Sequence, residues 1–331
     1  ARVLLVHPDV RWAFDRMARD IRRFAQPDDN VVVVGQRDFE AVVKFAGPKA
    51  FGRLDAAFHF SLGSASLLRR VDADRRGTLV ANECHCFAEY DPADWRTNGC
   101  APERNAAYSL PMLEHLDFVI CLTDRIHKTV AEYNENAVML PQGVNTRFWR
   151  PAAVADDSPN LAPMTVGWCG DTTTRRTFKG FEEMFVPLQN RLNSNRGIQF
   201  SANVSDHTSA STRRAMRDWY RKLGAFVCTA INEGGPYPPF EAALCGVPVV
   251  STDVGIVSTW DALREAGMIV PAYHNDKTLG VSLNAMIVKL VTLAEDAKLR
   301  QALGAKLRAS VLENYSWEDL APKWIDAMVG R

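Results

Sequence analysis

Short apolar runs rich in β-branched side chains recur at residues 3–6, 31–34, 56–60, 78–81 and 118–122, each followed by a longer stretch with helical spacing of its apolar positions. Continuous apolar runs separated by helices mark strands buried on both faces, the pattern of a parallel sheet. A Pro-, Asp- and Ala-rich stretch at 151–163 interrupts the series, which resumes at 165–169, 198–202, 225–229 and 247–251. The pattern predicts two Rossmann-like α/β domains, 1–150 and 151–315, joined near that stretch. Beyond residue 279 the strand signal stops. Leu283, Ile287, Leu290 and Leu293 fall on one helical face and Leu299, Leu303, Leu307 and Val311 on another, so two or three helices close the chain, the last within 316–331.

Length agrees with two domains, because 331 residues is about twice an ordinary domain. With 47% hydrophobic and 24% charged residues the chain is neither disordered nor a coiled coil. Lys plus Arg equals Asp plus Glu at 39 each, so bulk attraction to nucleic acid or anionic lipid is excluded and any basic surface is local. One such surface is expected between Arg11 and Ala25, where Ala13, Met17, Ile21 and Phe24 recur at helical spacing and Arg11, Arg16, Arg19, Arg22 and Arg23 share one arc. It reads as a core-packed helix with a solvated basic face, as a peripheral membrane contact, or as a track for acceptor phosphates.

The N-terminal apolar run is too short for a signal peptide, and no run of about 18 apolar residues predicts a transmembrane segment. Seven cysteines is an odd number, and Cys121, Cys169 and Cys228 sit in apolar runs, which together suggest a reducing, cytoplasmic setting. Cys84-His85-Cys86 lacks a second Cys/His pair at zinc-site spacing, so no metal is expected there. Asp72 and Asp74, among Arg69, Arg70, Arg75 and Arg76, read as a surface turn.

Ligands of doubly wound sheets bind beyond the carboxyl ends of the strands, which directs attention to the loops. In Asn232-Glu-Gly-Gly-Pro-Tyr-Pro-Pro-Phe-Glu241, a predicted strand enters a Gly- and Pro-rich turn and then a short helix ending at Gly246. Glu233 and Glu241 flank this turn with seven residues between them. A carboxylate repels phosphate but accepts hydrogen bonds from hydroxyls, which sugars carry in number. In Gly170-Asp-Thr-Thr-Thr-Arg-Arg-Thr-Phe-Lys-Gly180 a strand leads to three cations, which suit a departing diphosphate without a metal.

These segments resemble the retaining GT-B glycosyltransferases of family 4. Glu233, Glu241 and Gly246-Val-Pro-Val-Val250 match its paired glutamates and following strand, and Leu140-Pro-Gln-Gly-Val-Asn-Thr-Arg-Phe-Trp-Arg-Pro151 its interdomain signature. Val166-Gly-Trp-Cys-Gly170 with Lys179-Gly180 matches the phosphate-binding stretch, and Ser316-Trp317-Glu318 the penultimate helix. The resemblance covers residues 138–330 well and the acceptor-facing start of the chain weakly.

It implies GT-B architecture: two Rossmann-like parallel-sheet domains facing an interdomain cleft, acceptor domain first, nucleotide-sugar domain second, and a last helix crossing back to the first. It also implies metal-independent transfer of a hexose, with retention, from a UDP- or GDP-sugar to an acceptor hydroxyl on a small molecule, glycan, lipid-linked molecule or modified nucleic-acid base, with no separate cofactor. Glu241 would hold the ribose, Glu233 the sugar hydroxyls and Lys179 the diphosphate. Gly170, Gly234, Gly235 and Tyr237 would line the donor site, and His85 would approach the transferred sugar.

Three positions depart from the pattern: Asp171 stands where an arginine is usual, so Arg175 or Arg176 would take its place; no glycine pair follows His7; and Pro236 replaces a glycine. A sugar-nucleotide epimerase of the same fold and a non-catalytic sugar-nucleotide binder are the alternatives.

Overall fold

The computed structural model describes residues 1–8, 13–81, 110–152, 163–172, 176–192, 197–205 and 213–331. The described residues divide into two units, with a boundary at Asn145/Thr146 and a return to the first unit at Tyr315. In the first unit β1 (Arg2–His7), α1 (Ala13–Phe24), β2 (Asn30–Gly35), α2 (Gln36–Ala46) and β3 (Leu54–His59) alternate. A 3-10 segment, Leu62–Arg70, precedes β4 (Ala73–Val80), and β5 (Phe118–Cys121), α3 (Asp124–Val130) and β6 (Ala137–Met139) complete the sheet. Its order is β2-β1-β3-β4-β5-β6 and every pairing is parallel. The order reverses between β1 and β3, so His7 and His59, their last residues, stand at the switch point.

The second unit runs β7 (Met164–Asp171), one helical turn α4 (Arg176–Lys179), a π-helical turn Phe181–Phe185 and α5 (Val186–Leu192). It continues through β8 (Ile198–Ser205), α6 (Arg213–Tyr220), β9 (Ala225–Cys228), α7 (Tyr237–Leu244) and β10 (Val249–Thr252). A 3-10 turn at Gly255–Thr259, α8 (Asp261–Glu265), β11 (Ile269–Val270), α9 (Asp276–Glu295) and α10 (Ala297–Asn314) follow. The sheet order is β11-β10-β9-β7-β8, again all parallel, with the switch point between β7 and β9. Both sheets carry a short edge strand, β6 and β11, that the hydrophobic pattern did not signal.

The chain closes with α11 (Trp317–Val329), which belongs to the first unit. Its Trp317, Trp324, Ile325 and Met328 share a core with Val3, Met17, Ile21, Phe58 and Phe118. The entry is stitched by backbone bonds from Val144 N–H to Tyr315 O (2.7 Å) and from Trp317 N–H to Val144 O (3.2 Å). Gly143 is required there, because a Cβ at that position would lie 2.5 Å from the Trp317 indole.

Arg11 lies outside the described residues. α1 buries Met17, Ala18 and Ile21 and leaves Arg19, Arg22 and Arg23 exposed, the core-packed helix with a solvated basic face; on it Arg16 approaches Asp20 (3.8 Å) and Arg19 binds Asp15 (2.6 Å), carboxylates four positions away on the same helix. Two expectations change. Asp74 is in β4 rather than a surface turn, paired with Arg53 at 3.2 Å. Among the described residues α9 is long and apolar enough to cross a bilayer by length and composition, where none was expected. Its Leu283, Met286, Leu290 and Leu293 are buried in the second unit, and Asn275 and Thr278 form a capping box at its start.

Candidate active site

The ends of β7 and β9 converge in the second unit. Beyond β9, Thr229 anchors the neighbouring loop: its hydroxyl donates to the Lys179 carbonyl (2.8 Å) and accepts from the Trp168 indole N–H (2.9 Å). Its own carbonyl accepts from the Tyr273 hydroxyl at 2.8 Å, and Ile231 N–H reaches the Phe178 carbonyl at 3.0 Å. Lys179 thus ends its helical turn with the backbone held from two sides. Gly180 follows in the left-handed region at φ +64°, where an added Cβ would lie 2.1 Å from Thr229 O and 2.2 Å from Tyr273 Oη. Only glycine fits both the conformation and the space.

With its backbone fixed, Lys179 extends its stem past Gly170, whose missing Cβ leaves room for Trp168 (a Cβ there would sit 2.8 Å from the indole). The ammonium forms an ion pair with Glu233 Oε1. A small cavity opens at this pair, lined among others by Trp168, Cys169, Lys179, Thr229, Glu233 and Pro236. The loop carrying Glu233, Gly234 and Gly235 is braced from behind: Ile256 N–H donates to Gly234 O (2.8 Å), and Gly255 comes so close that a Cβ would lie 2.4 Å from Glu233 O.

Helix α7 then begins at Tyr237, with Pro238 and Pro239 in its first turn, where a missing N–H costs nothing. It ends at Leu244, Cys245 caps it, and Gly246 follows at φ +86°. Glu241 projects from this helix but does not line the cavity; it is 4% exposed, and its Oε2 accepts from the Tyr220 hydroxyl at 3.1 Å. Tyr220 is in turn 3.4 Å from Cys169 Sγ. Burial pushes the Cys169 thiol up to about 12 and the Cys228 thiol up to about 11, and it raises the Tyr220 phenol further, so all three keep their protons at neutral pH.

Of the residues singled out in the sequence, Lys179 and Glu233 meet at the cavity, with Gly170 following the lining residue Cys169, Gly234 and Gly235 in the loop of Glu233, and Tyr237, 6% exposed, opening the helix beyond. Arg176 opens the turn that ends at Lys179. His85 and Arg175 lie outside the described residues. Asp171 is the last residue of β7 and is buried. Sequence reasoning missed Trp168, Thr229, Tyr220 and Tyr273. No motif spacing reveals them, since each acts through a contact between elements far apart in the chain.

Such an arrangement offers one cation and one carboxylate at adjoining strand ends, with a second carboxylate behind them. Residues 187–302 match the family described as Glycosyl transferases group 1. The chain is 32% identical over 120 residues, 36% of its length, to the lipopolysaccharide core biosynthesis mannosyltransferase LpsB of Rhizobium meliloti, of whose length the match spans 30%. It is 26% identical over 125 residues, 37% of its length, to a D-inositol 3-phosphate glycosyltransferase of Jonesia denitrificans, of which the match spans 27%.

Among solved structures, sucrose-phosphate synthase from Thermosynechococcus elongatus superimposes with a TM-score of 0.66 at 15% identity, covering 98% of this chain and 97% of that one. Anabaena Alr3699/HepE in complex with UDP gives 0.67 at 10% identity over the whole of both chains. The fold is therefore that of GT-B glycosyltransferases, two parallel-sheet α/β domains.

Proposed function

We propose that the chain is a retaining glycosyltransferase that moves a hexose from a nucleoside diphosphate sugar to an acceptor hydroxyl. The observation that carries this reading is the Lys179–Glu233 ion pair lining a cavity at the ends of β7 and β9. A bound donor would part the pair, Lys179 turning to the diphosphate and Glu233 accepting from sugar hydroxyls. The group 1 match favours transfer over epimerisation, and the UDP held by the Anabaena neighbour favours a UDP-sugar as donor.

In this reading the bond from the anomeric carbon to the diphosphate oxygen breaks as the acceptor oxygen bonds to the same face. The acceptor proton passes to the departing phosphate oxygen. Charge growing on that phosphate is met by Lys179, a fixed cation that requires no metal, and Arg175 or Arg176 would serve as the second cation. Glu241 holds the ribose hydroxyls.

A thermal-shift screen of the full chain with UDP, GDP, ADP and their sugars tests the reading. A ligand of the folded state raises the unfolding temperature by mass action. The expected result is a rise with one nucleoside diphosphate, and about ten- to a hundredfold weaker affinity in Glu241→Ala, since a hydrogen bond to a charged group is lost. No shift with any nucleotide would contradict it.

A further inference from the structure

We infer that Tyr220 is a positioning residue that orients the Glu241 carboxylate for the ribose of a bound nucleotide. The inference rests on the role given to Glu241 above and adds a residue outside the paired-glutamate motif.

Tyr220 ends α6, and its side chain is fully buried. Its ring meets Trp149 at 5.7 Å between centroids, Trp219 at 5.1 Å and Phe226 at 5.7 Å, with interplanar angles from 54° to 78°. A ring held on three sides fixes the place of its hydroxyl. That hydroxyl has one proton, and the carboxylate of Glu241, 3.1 Å away, is the stronger acceptor of the two neighbours. The Cys169 thiol, 3.4 Å away, therefore donates to the phenol oxygen, and the chain runs Cys169 to Tyr220 to Glu241. Burial keeps both the thiol and the phenol protonated, so the direction of the chain holds at neutral pH.

The chain ties three elements: Cys169 in β7, one residue before Gly170; Tyr220 at the end of α6; and Glu241 inside α7. Hydrogen bonds in series polarise one another, and a donor locked by packing fixes the plane of the carboxylate it reaches. Glu241 sits on a helix whose first turn contains two prolines, while its carboxylate is held from the neighbouring helix by Tyr220, which the strand residue Cys169 contacts in turn. A ribose presents paired hydroxyls that reward a carboxylate held in one orientation. Phenylalanine preserves the ring contacts and removes only the hydroxyl, so it separates positioning from packing.

The test is calorimetric titration of the full chain with UDP and GDP and with their 2′-deoxy counterparts, for the wild type, Tyr220→Phe, Glu241→Ala and the double variant, each with its unfolding temperature. Expected are a loss of about tenfold in ribonucleotide affinity for Tyr220→Phe with a near-wild-type unfolding temperature, a smaller ratio of ribo- to deoxyribonucleotide affinity, and no additional loss when Tyr220→Phe is added to Glu241→Ala. Unchanged affinity in Tyr220→Phe, or an equal loss for ribo- and deoxyribonucleotides, overturns the inference while leaving Glu241 in place. If Glu241→Ala itself binds as the wild type does, the ribose assignment fails and the inference falls with it.

Discussion

Lys179 and Glu233 form an ion pair at the cavity, which in the proposed reading a bound donor would part. If Lys179 meets charge that grows as the phosphate leaves, Lys179→Ala lowers kcat by about a hundredfold while raising the donor KM far less, because only interactions stronger in the transition state speed the chemistry. Steady-state kinetics decide it: an unchanged kcat with a raised KM makes Lys179 a mere holder of the donor. In the first unit the residue with the clearest pH signature is His59 at the end of β3. It is fully buried, its Nδ1 accepts from Ser61 N–H at 3.0 Å, and burial lowers its pKa from 6.5 to about 4. Above pH 6.5 neither folded nor unfolded chain protonates this ring; below it the unfolded chain takes the proton first, so stability falls with pH until the folded pKa is reached. By pH 5 the loss is about 2 kcal/mol. Urea unfolding between pH 7 and 5 reads it, and His59→Gln flattens that slope; an equal slope in the variant assigns the dependence elsewhere.

The elements that carry the site are loops built on strand ends, and their shape depends on glycines at close approaches. Gly180→Ala places a Cβ 2.1 Å from Thr229 O at φ +64°, whereas Gly267→Ala meets no atom within 4 Å at φ +66°. The first costs about 2–5 kcal/mol, from left-handed strain plus overpacking, and the second only the strain, about 1–2 kcal/mol. Urea titrations of both variants give the comparison, and equal losses would show that the contact with Thr229 and Tyr273 matters little. The strands and α7 were legible because burial on both faces leaves continuous apolar runs and because Pro238, Pro239 and Gly246 punctuate the helix. Strands β6 and β11 were not, since three and two residues at a sheet edge carry no period of their own. The core-packed helix α1 with its basic face was legible from periodicity, whereas the pairing of Arg16 with Asp20 and of Arg19 with Asp15 was not, because those two carboxylates were left out of the reading.

Across the whole molecule the sequence told two series of strands apart, and the structure contains two parallel sheets. The start of the last helix was legible at Ser316-Trp317-Glu318, but its docking was not: Val144 meets Tyr315 and Trp317 through the backbone, a pairing between segments far apart in the chain. Glu233 and Lys179 were legible as chemistry because they lie in loops that follow strands. Their direct pairing needed the fold, since Thr229, Trp168 and Tyr273 bring the two loops together. The central claim is glycosyl transfer with retention at this pair. Its most direct measurement follows the anomeric proton by NMR while the full chain, in EDTA, acts on UDP- and GDP-hexoses with water or an added sugar as acceptor. The account predicts release of the nucleoside diphosphate and a first-formed product of the donor's anomeric configuration, with both lost in Lys179→Ala. A product of opposite configuration, or an intact donor in a chain that binds nucleotide, would contradict it.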